Sequence, residues 1–288
     1  MDHNNEAVSK ITVPWILARK LRGEKLTCLT AYDYPTARLV DEAGIDMVLV
    51  GDSLAQVVLG YDSTIPVTVE EMLHHVRAAR RAVRRALLIA DLPYGAYHLS
   101  EEQGLAAAVR FLKEGGAEAV KIEGGRKRAP LIRRLVEAEV PVMGHIGLTP
   151  QSVRVLGGYP VQGKTVESAN DLLADAQAVE DAGAFALVLE GIPRELAAIL
   201  TRELRIPTIG IGAGPDCDGQ VLVVHDLVGL SFLPRAKFVR LYADLGAILR
   251  EAFTRFRRDV LEGRYPDDRE SYHWSVAVRE QFEKDVPR

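Results

Sequence analysis

Cysteine is nearly absent from this chain: its 288 residues contain two, Cys28 and Cys217, far apart and without metal-ligand spacing. That excludes a disulfide framework as the organising device and makes a reducing compartment the expectation. Long apolar runs are lacking too. None approaches the roughly 18 residues a membrane helix needs, and residues 1–6 lack the basic start and apolar core of a secretory signal. A cytoplasmic location without a membrane partner follows as the expectation. An excess of charge is also missing. A formal net charge of -4 and a pI near 6.0 give no reason to expect nucleic acid as a partner. Arg80, Arg81, Arg84 and Arg85 do not change this, because they read as the solvated end of a helix, where cations suit the dipole.

What is present is an ordinary globular composition, 48% hydrophobic and 26% charged, with no linker, in a chain long enough for one large domain. A short amphipathic helix is expected over 13–21. Apolar strands follow at 26–31, 45–50, 86–91, 119–123, 140–145, 185–190, 208–210 and 221–225. Helices alternate with them, at 35–42, 68–85, from the Ser100-Glu101-Glu102-Gln103 capping box to 114, and at 130–138, 168–181 and 193–204. Three helix ends, at Gly44, Gly115 and Gly183, carry the glycine of a left-handed cap just before a strand, which is half of a βαβ unit. Eight such units at roughly 36 residues each predict a (β/α)8 TIM barrel, with a doubly wound open sheet as the alternative. The expected core spans about 25–258 as a single domain. A helix over 237–258 and a charged C-terminal extension, 259–288, complete the chain.

Catalytic groups of such a barrel gather at the C-terminal strand ends. Those ends read Asp33, Asp52-Ser53, Asp91, Lys121 with Glu123, His145, Glu190, Gly210 and His225-Asp226. On the fourth strand, Lys121 and Glu123 share one face while Val120 and Ile122 share the other. Opposite charges closing an apolar strand form either an ion pair or part of a site. Asp52, Asp91 and Glu123 end three neighbouring strands, and hard oxygen donors without cysteine suit Mg²⁺ better than zinc; the competing reading is that Asp52 or Asp91 merely caps the following loop. Glu190 lies behind an apolar strand, partly desolvated, as a proton acceptor. Lys121 suits a substrate carboxylate or oxyanion. His145 reads equally as a hydrogen-bond donor to substrate or as a structural histidine. The glycines of 210–214 read as a phosphate cradle or, more simply, as a place where backbone approaches the site mouth closely.

The stretches Leu26-Thr27-Cys28-Leu29-Thr30-Ala31-Tyr32-Asp33, Val50-Gly51-Asp52-Ser53, Ala90-Asp91-Leu92-Pro93-Tyr94, Val120-Lys121-Ile122-Glu123-Gly124-Gly125, Gly144-His145-Ile146-Gly147-Leu148-Thr149-Pro150-Gln151 and Ile209-Gly210-Ile211-Gly212-Ala213-Gly214 closely resemble the 3-methyl-2-oxobutanoate (ketopantoate) hydroxymethyltransferase family. The resemblance implies a (β/α)8 barrel that makes ketopantoate, on the way to pantothenate and coenzyme A, from 3-methyl-2-oxobutanoate, with 5,10-methylenetetrahydrofolate as co-substrate. It further implies Mg²⁺ held by Asp52, Asp91 and Glu123, oxoacid held by Asp52, Ser53, Asp91 and Lys121, Glu190 as proton acceptor, and a homodecamer. Two rivals stand: a magnesium-dependent 2-oxoacid lyase or mutase of the phosphoenolpyruvate/pyruvate type, and a barrel that binds ligand without turnover.

Overall fold

The computed structural model describes residues 9–286, and the chain forms two compact units, Met1–Tyr242 and Ala243–Arg288. Among the described residues of the first, eight parallel strands close into a barrel in sequence order. They are β1 Leu26–Thr30, β2 Met47–Val50, β3 Leu87–Asp91, β4 Ala119–Glu123, β5 Val142–Gly147, β6 Ala186–Glu190, β7 Thr208–Ile211 and β8 Gly219–Leu222. Pairing of β8 with β1 completes the circle and rules out the open sheet. Helices Tyr34–Glu42, Val69–Arg80, Glu101–Arg110, Ala129–Glu137, Val166–Asp181 and Arg194–Glu203 lie between strands. No described helix is long and apolar enough to cross a membrane.

The two-residue period of the strands divides their side chains into two cores. Outward residues such as Val48, Leu88, Val120, Ile122 and Leu187 pack with the helices. Inward ones, including Met47, Leu49, Ile89, Met143, Val188 and Ile209, fill the barrel together with Ile11 and Ile16. Ile16 belongs to the helix Val13–Leu21 and is fully buried.

At the N-terminal end of the barrel, acidic side chains just before β2, β4 and β8 accept amides from the preceding strand. Asp46 Oδ2 accepts from Thr27 at 2.9 Å, Glu118 Oε2 from Leu88 at 2.9 Å and Asp218 Oδ2 from Thr208 at 2.8 Å. Cations complete the charges: Lys10 pairs with Glu118 at 2.6 Å, Lys20 with Asp218 at 2.8 Å and Arg85 with Asp46 at 3.4 Å. Hydrogen bonds to charged acceptors contribute about 1.5–3 kcal/mol each, so this end of the barrel is secured independently of the other.

Four local expectations need correction. The helix expected over 68–85 stops at Arg80 because the amides of Arg84, Arg85 and Ala86 turn to the buried Asp41 carboxylate instead. Arg84 and Arg85 are therefore not cations at a helix end. The Ser100 hydroxyl does cap its helix, accepting from the Gln103 amide, but the Gln103 side chain accepts from Leu99 rather than closing a box with Ser100. A π-helical turn, Phe111–Gly115, adds a residue before the strand, so the left-handed cap is Gly116, with φ 74°, while Gly115 is buried against Val76. The apolar run at 221–225 is only partly strand. β8 begins at Gly219 and ends at Leu222, after which the Val224 amide donates to Thr30 Oγ1 and Val224–Leu227 coils into a short helix.

In the second unit the helix expected over 237–258 runs Leu245–Leu261, because the Asp244 side chain caps it by accepting from the Ala247 amide. A further helix, Val276–Asp285, brings Phe282 against Trp274, with ring centroids 4.8 Å apart.

Gly219 explains where β8 starts. A Cβ there would stand 2.6 Å from the Leu26 carbonyl oxygen and 2.8 Å from Ile209 Cδ1, so the strand fits only without one. Gly219→Ala is expected to destabilise the protein by about 1–3 kcal/mol, seen as a melting temperature lowered by several degrees in thermal unfolding followed by circular dichroism. An unchanged melting temperature would show that β1 and β8 can part without cost.

Candidate active site

The inward stripes of β3 to β6 turn polar in their last layer. Ile89 is followed by Asp91, Ala119 by Lys121 and then Glu123, Met143 by His145 and Val188 by Glu190. Strand register sets Asp91 beside Lys121 and Glu123 beside His145. These five residues, with Asp52 and Ser53 just beyond β2, line one cavity of about 180 Å³, and Leu49, Val188, Ile211 and Val221 form its apolar wall.

Asp52, Asp91 and Glu123 each bring a carboxylate oxygen within 4.8 Å of the others, and all three are buried. Lys121 Nζ donates to Asp91 Oδ2 at 2.7 Å and lies 3.6 Å from Glu123 Oε1. Asp91 Oδ1 and Glu123 Oε1 are buried with no hydrogen-bond partner. Unpartnered buried carboxylate oxygens are costly. Hard oxygens left over on neighbouring carboxylates fit a divalent cation that prefers oxygen, and here they converge with Asp52.

The electrostatics agree with that fit. Burial, then repulsion from Asp91 and Glu123, holds the Asp52 carboxyl well above the usual range. Burial also raises Asp91, against the pull of Lys121. For Glu123, burial is outweighed by Lys121 and His145, so its pKa falls. Burial weakens the Lys121 ammonium, but Asp91, Glu123 and Asp52 outweigh it and keep it charged. His145 lies between carboxylates, Nδ1 3.5 Å from Glu123 Oε1 and Nε2 3.2 Å from Glu190 Oε2. These are ion-pair distances without hydrogen-bond alignment. Burial and Lys121 oppose its protonation, Glu123 and Glu190 outweigh them, and its pKa is pushed up to about 9.

Glu190 keeps 16% of its side chain exposed and faces the same cavity. Ser53 Oγ lies 2.8 Å from the Tyr32 hydroxyl. Not every strand-end residue joins the group. Asp33 is an exposed helix cap, accepting from the Thr36 amide at 2.7 Å. Asp226 reaches the cavity wall from the short helix after β8, whereas His225 packs its ring 5.4 Å from that of Tyr32. The glycines after β7 serve close approach: Gly212 has φ +63°, and a Cβ on it would stand 2.6 Å from the Phe238 ring.

Gln151 carries a part that strand-end reading did not assign. It is buried in a 3-10 turn after β5. Its Nε2 donates to Asp52 Oδ2 and to the Leu92 carbonyl, both at 2.9 Å, and its Oε1 accepts from the Tyr97 hydroxyl at 2.7 Å. Its own amide donates to Glu123 Oε2 at 3.0 Å. One residue thus orients two of the three carboxylates. Pro150 beside a glutamine was visible in the sequence, but the reach of a loop side chain was not. Partners that orient ligands typically contribute about 10–100-fold in metal affinity. Gln151→Met is expected to weaken Mn²⁺ binding by about that factor, read by electron paramagnetic resonance titration; parent affinity in a folded variant would remove Gln151 from this role.

Residues 10–268 match the family model described as ketopantoate hydroxymethyltransferase. The chain is 64% identical to the 3-methyl-2-oxobutanoate hydroxymethyltransferase of Koribacter versatilis, over 92% of this chain and 90% of that one. To the enzymes of the same name from Thermobifida fusca and Carboxydothermus hydrogenoformans it is 55% and 52% identical, covering 94% and 96% of this chain and 96% and 100% of theirs. Among solved structures, phosphonopyruvate hydrolase superposes with TM-score 0.61 at 16% identity, covering 96% of this chain and 95% of that one. For 2,3-dimethylmalate lyase the values are 0.58 and 19%, covering 95% and 97%. At such identities these two share the barrel and nothing more specific. The sequence relatives and the family match together establish that this chain belongs to the ketopantoate hydroxymethyltransferase family.

Proposed function

We propose that this protein transfers a hydroxymethyl group from 5,10-methylenetetrahydrofolate to 3-methyl-2-oxobutanoate, giving ketopantoate, with Mg²⁺ as its metal. The observation that carries the reading is the set of three converging buried carboxylates, two with an unpartnered oxygen, facing Glu190 across a small, partly apolar cavity. A lyase or mutase of the phosphoenolpyruvate/pyruvate type shares only the fold with this chain. A cytoplasmic location and a homodecamer belong to the same proposal.

Bound by Asp52, Asp91 and Glu123, Mg²⁺ would supply a Lewis acid for the carboxylate and keto oxygens of a 2-oxoacid. Lys121, held by Asp91, balances the incoming negative charge. Ser53, at the cavity wall beside Asp52, suits a hydrogen bond to the acid. Leu49, Val188, Ile211 and Val221 suit the branched alkyl group. Glu190 takes the C3 proton, and His145 Nε2, 3.2 Å from Glu190 Oε2, steadies that carboxylate. The carbon freed of its proton bonds to the one-carbon unit of the folate, whose bonds to the two folate nitrogens break; water supplies the hydroxyl, and its second proton, with the one taken at C3, goes to those nitrogens, releasing tetrahydrofolate.

Proton NMR of 3-methyl-2-oxobutanoate in D₂O tests the first half without folate. The C3 proton signal is expected to decay with protein and Mg²⁺ and to persist with excess chelator. If no decay occurs, adding methylenetetrahydrofolate separates a requirement for bound folate, which restores ketopantoate formation, from failure of the assignment, which does not.

Glu190→Gln is expected to slow this exchange by about 10²–10⁴-fold while leaving Mn²⁺ affinity near that of the parent. Exchange at the parent rate would sink Glu190 as the base.

A further inference from the structure

Gln151 can orient Asp52 only if its amide faces the right way. The Leu92 carbonyl can only accept, so Nε2 must be the atom turned to it, and Asp52 Oδ2 lies within reach of the same nitrogen, both at 2.9 Å. Oε1 is thereby aimed elsewhere, at the Tyr97 hydroxyl 2.7 Å away. An amide oxygen can only accept as well, so the hydroxyl proton lies in that bond. The phenol oxygen is then free to accept from the Glu123 amide at 3.3 Å, and its 3.4 Å approach to the Glu123 carbonyl oxygen is left without a proton.

The surroundings of Tyr97 suit this single task. It sits in the loop after β3 with 2% of its surface exposed, and the wall of the oxoacid cavity does not include it. Arg128 lies over its ring, the guanidinium carbon 5.0 Å from the centroid, and the His98 ring is 4.4 Å away. Burial, then the charges of Glu123 and Asp91, hold its pKa well above the usual phenol range, so the proton stays on the oxygen. One hydroxyl thus joins the loop after β3, the end of β4 and the turn after β5, and through Gln151 it reaches Asp52 beyond β2. Without it, Oε1 would be buried and unpaired, and the amide would lose the partner that distinguishes its two ends.

Resting on the metal part of the proposed function, we propose that Tyr97 is a positioning residue for the metal site: its hydroxyl fixes the face that Gln151 turns to Asp52 and so presets Asp52 and Glu123 for a divalent cation.

Tyr97→Phe removes one oxygen and keeps the ring against Arg128 and His98. Electron paramagnetic resonance titration is expected to show Mn²⁺ bound about tenfold more weakly. In C3 exchange the loss is expected in the Mg²⁺ concentration that half-saturates the reaction rather than in the saturated rate. Thermal unfolding reports that the variant is folded; a tyrosine that only supported the loop would lower the melting temperature and leave Mn²⁺ affinity alone. In a Gln151→Met background the same substitution is expected to change Mn²⁺ affinity by less than about threefold, because the amide is the route of its effect. Two further replacements of Tyr97 decide the matter even if the phenylalanine variant is unstable. 4-Fluorophenylalanine fills the space of the hydroxyl but donates nothing and is expected to give the same loss; 4-aminophenylalanine donates an N–H and is expected to restore most of the affinity. Parent affinity in folded Tyr97→Phe or in the fluoro variant, or a tenfold loss that persists in the Gln151→Met background, overturns the proposal and leaves the metal reading standing. Failure of the parent to bind Mn²⁺ removes both.

Discussion

The ammonium of Lys121 is what makes the end of this barrel tenable. Three carboxylates buried within 4.8 Å of one another repel strongly in a medium that screens poorly. Lys121 reaches Asp91 at 2.7 Å and Glu123 at 3.6 Å, and its own burial is compensated by the same partners. His145 adds positive charge between Glu123 and Glu190. The residual imbalance appears at Asp52, whose carboxyl is pushed furthest toward protonation. A divalent cation held by the three carboxylates would relieve the same imbalance. The structural ion pair and the site are therefore one arrangement, and neither of the two readings open from the sequence excludes the other.

That arrangement depends on parallel strands holding their register. A slip by one residue would move Lys121 and Glu123 to the outer face, among Val120 and Ile122 and the helices. Apolar layers beneath, from Met47, Ile89, Met143 and Val188, resist such a slip because each would lose its place in the barrel interior. At the opposite end Asp46, Glu118 and Asp218 tie neighbouring strands through their amides. Gln151 then fixes what the strands cannot, the rotation of the Asp52 and Glu123 side chains.

Much of this could be read from the chain because strand periodicity is a short-range rule. Alternation at 119–123 separates inward charge from outward hydrocarbon whatever the rest of the fold, and eight apolar strands alternating with helices, three of them reached through a glycine, admit few closed solutions. The errors fall where long-range contacts decide. Val221 to Val224 are as apolar as any strand, yet the Thr30 hydroxyl ends the pairing by taking the Val224 amide. Nothing local reveals that Asp41 will strip the last turn from the helix before β3. Asp33 resembled its neighbours at strand ends, but its carboxylate is claimed by the Thr36 amide. Gln151 was inside a motif already singled out, and its role stayed hidden because a loop has no fixed period.

The π-helical turn at Phe111–Gly115 gives the chain a freedom that a regular helix would deny it. A continuous α-helix links the number of residues it contains to the direction in which it releases the chain, about 100° of rotation for each residue. By absorbing one residue as a widened turn, this segment uncouples the two: the helix keeps its buried face on Ala107 and Ala108, and β4 still leaves with Lys121 pointing inward. The length of chain between Asp91 and Lys121 is thus not dictated by the site that the two residues share. The extra residue is stored in the scaffold and leaves the inward face of the strand downstream where it was.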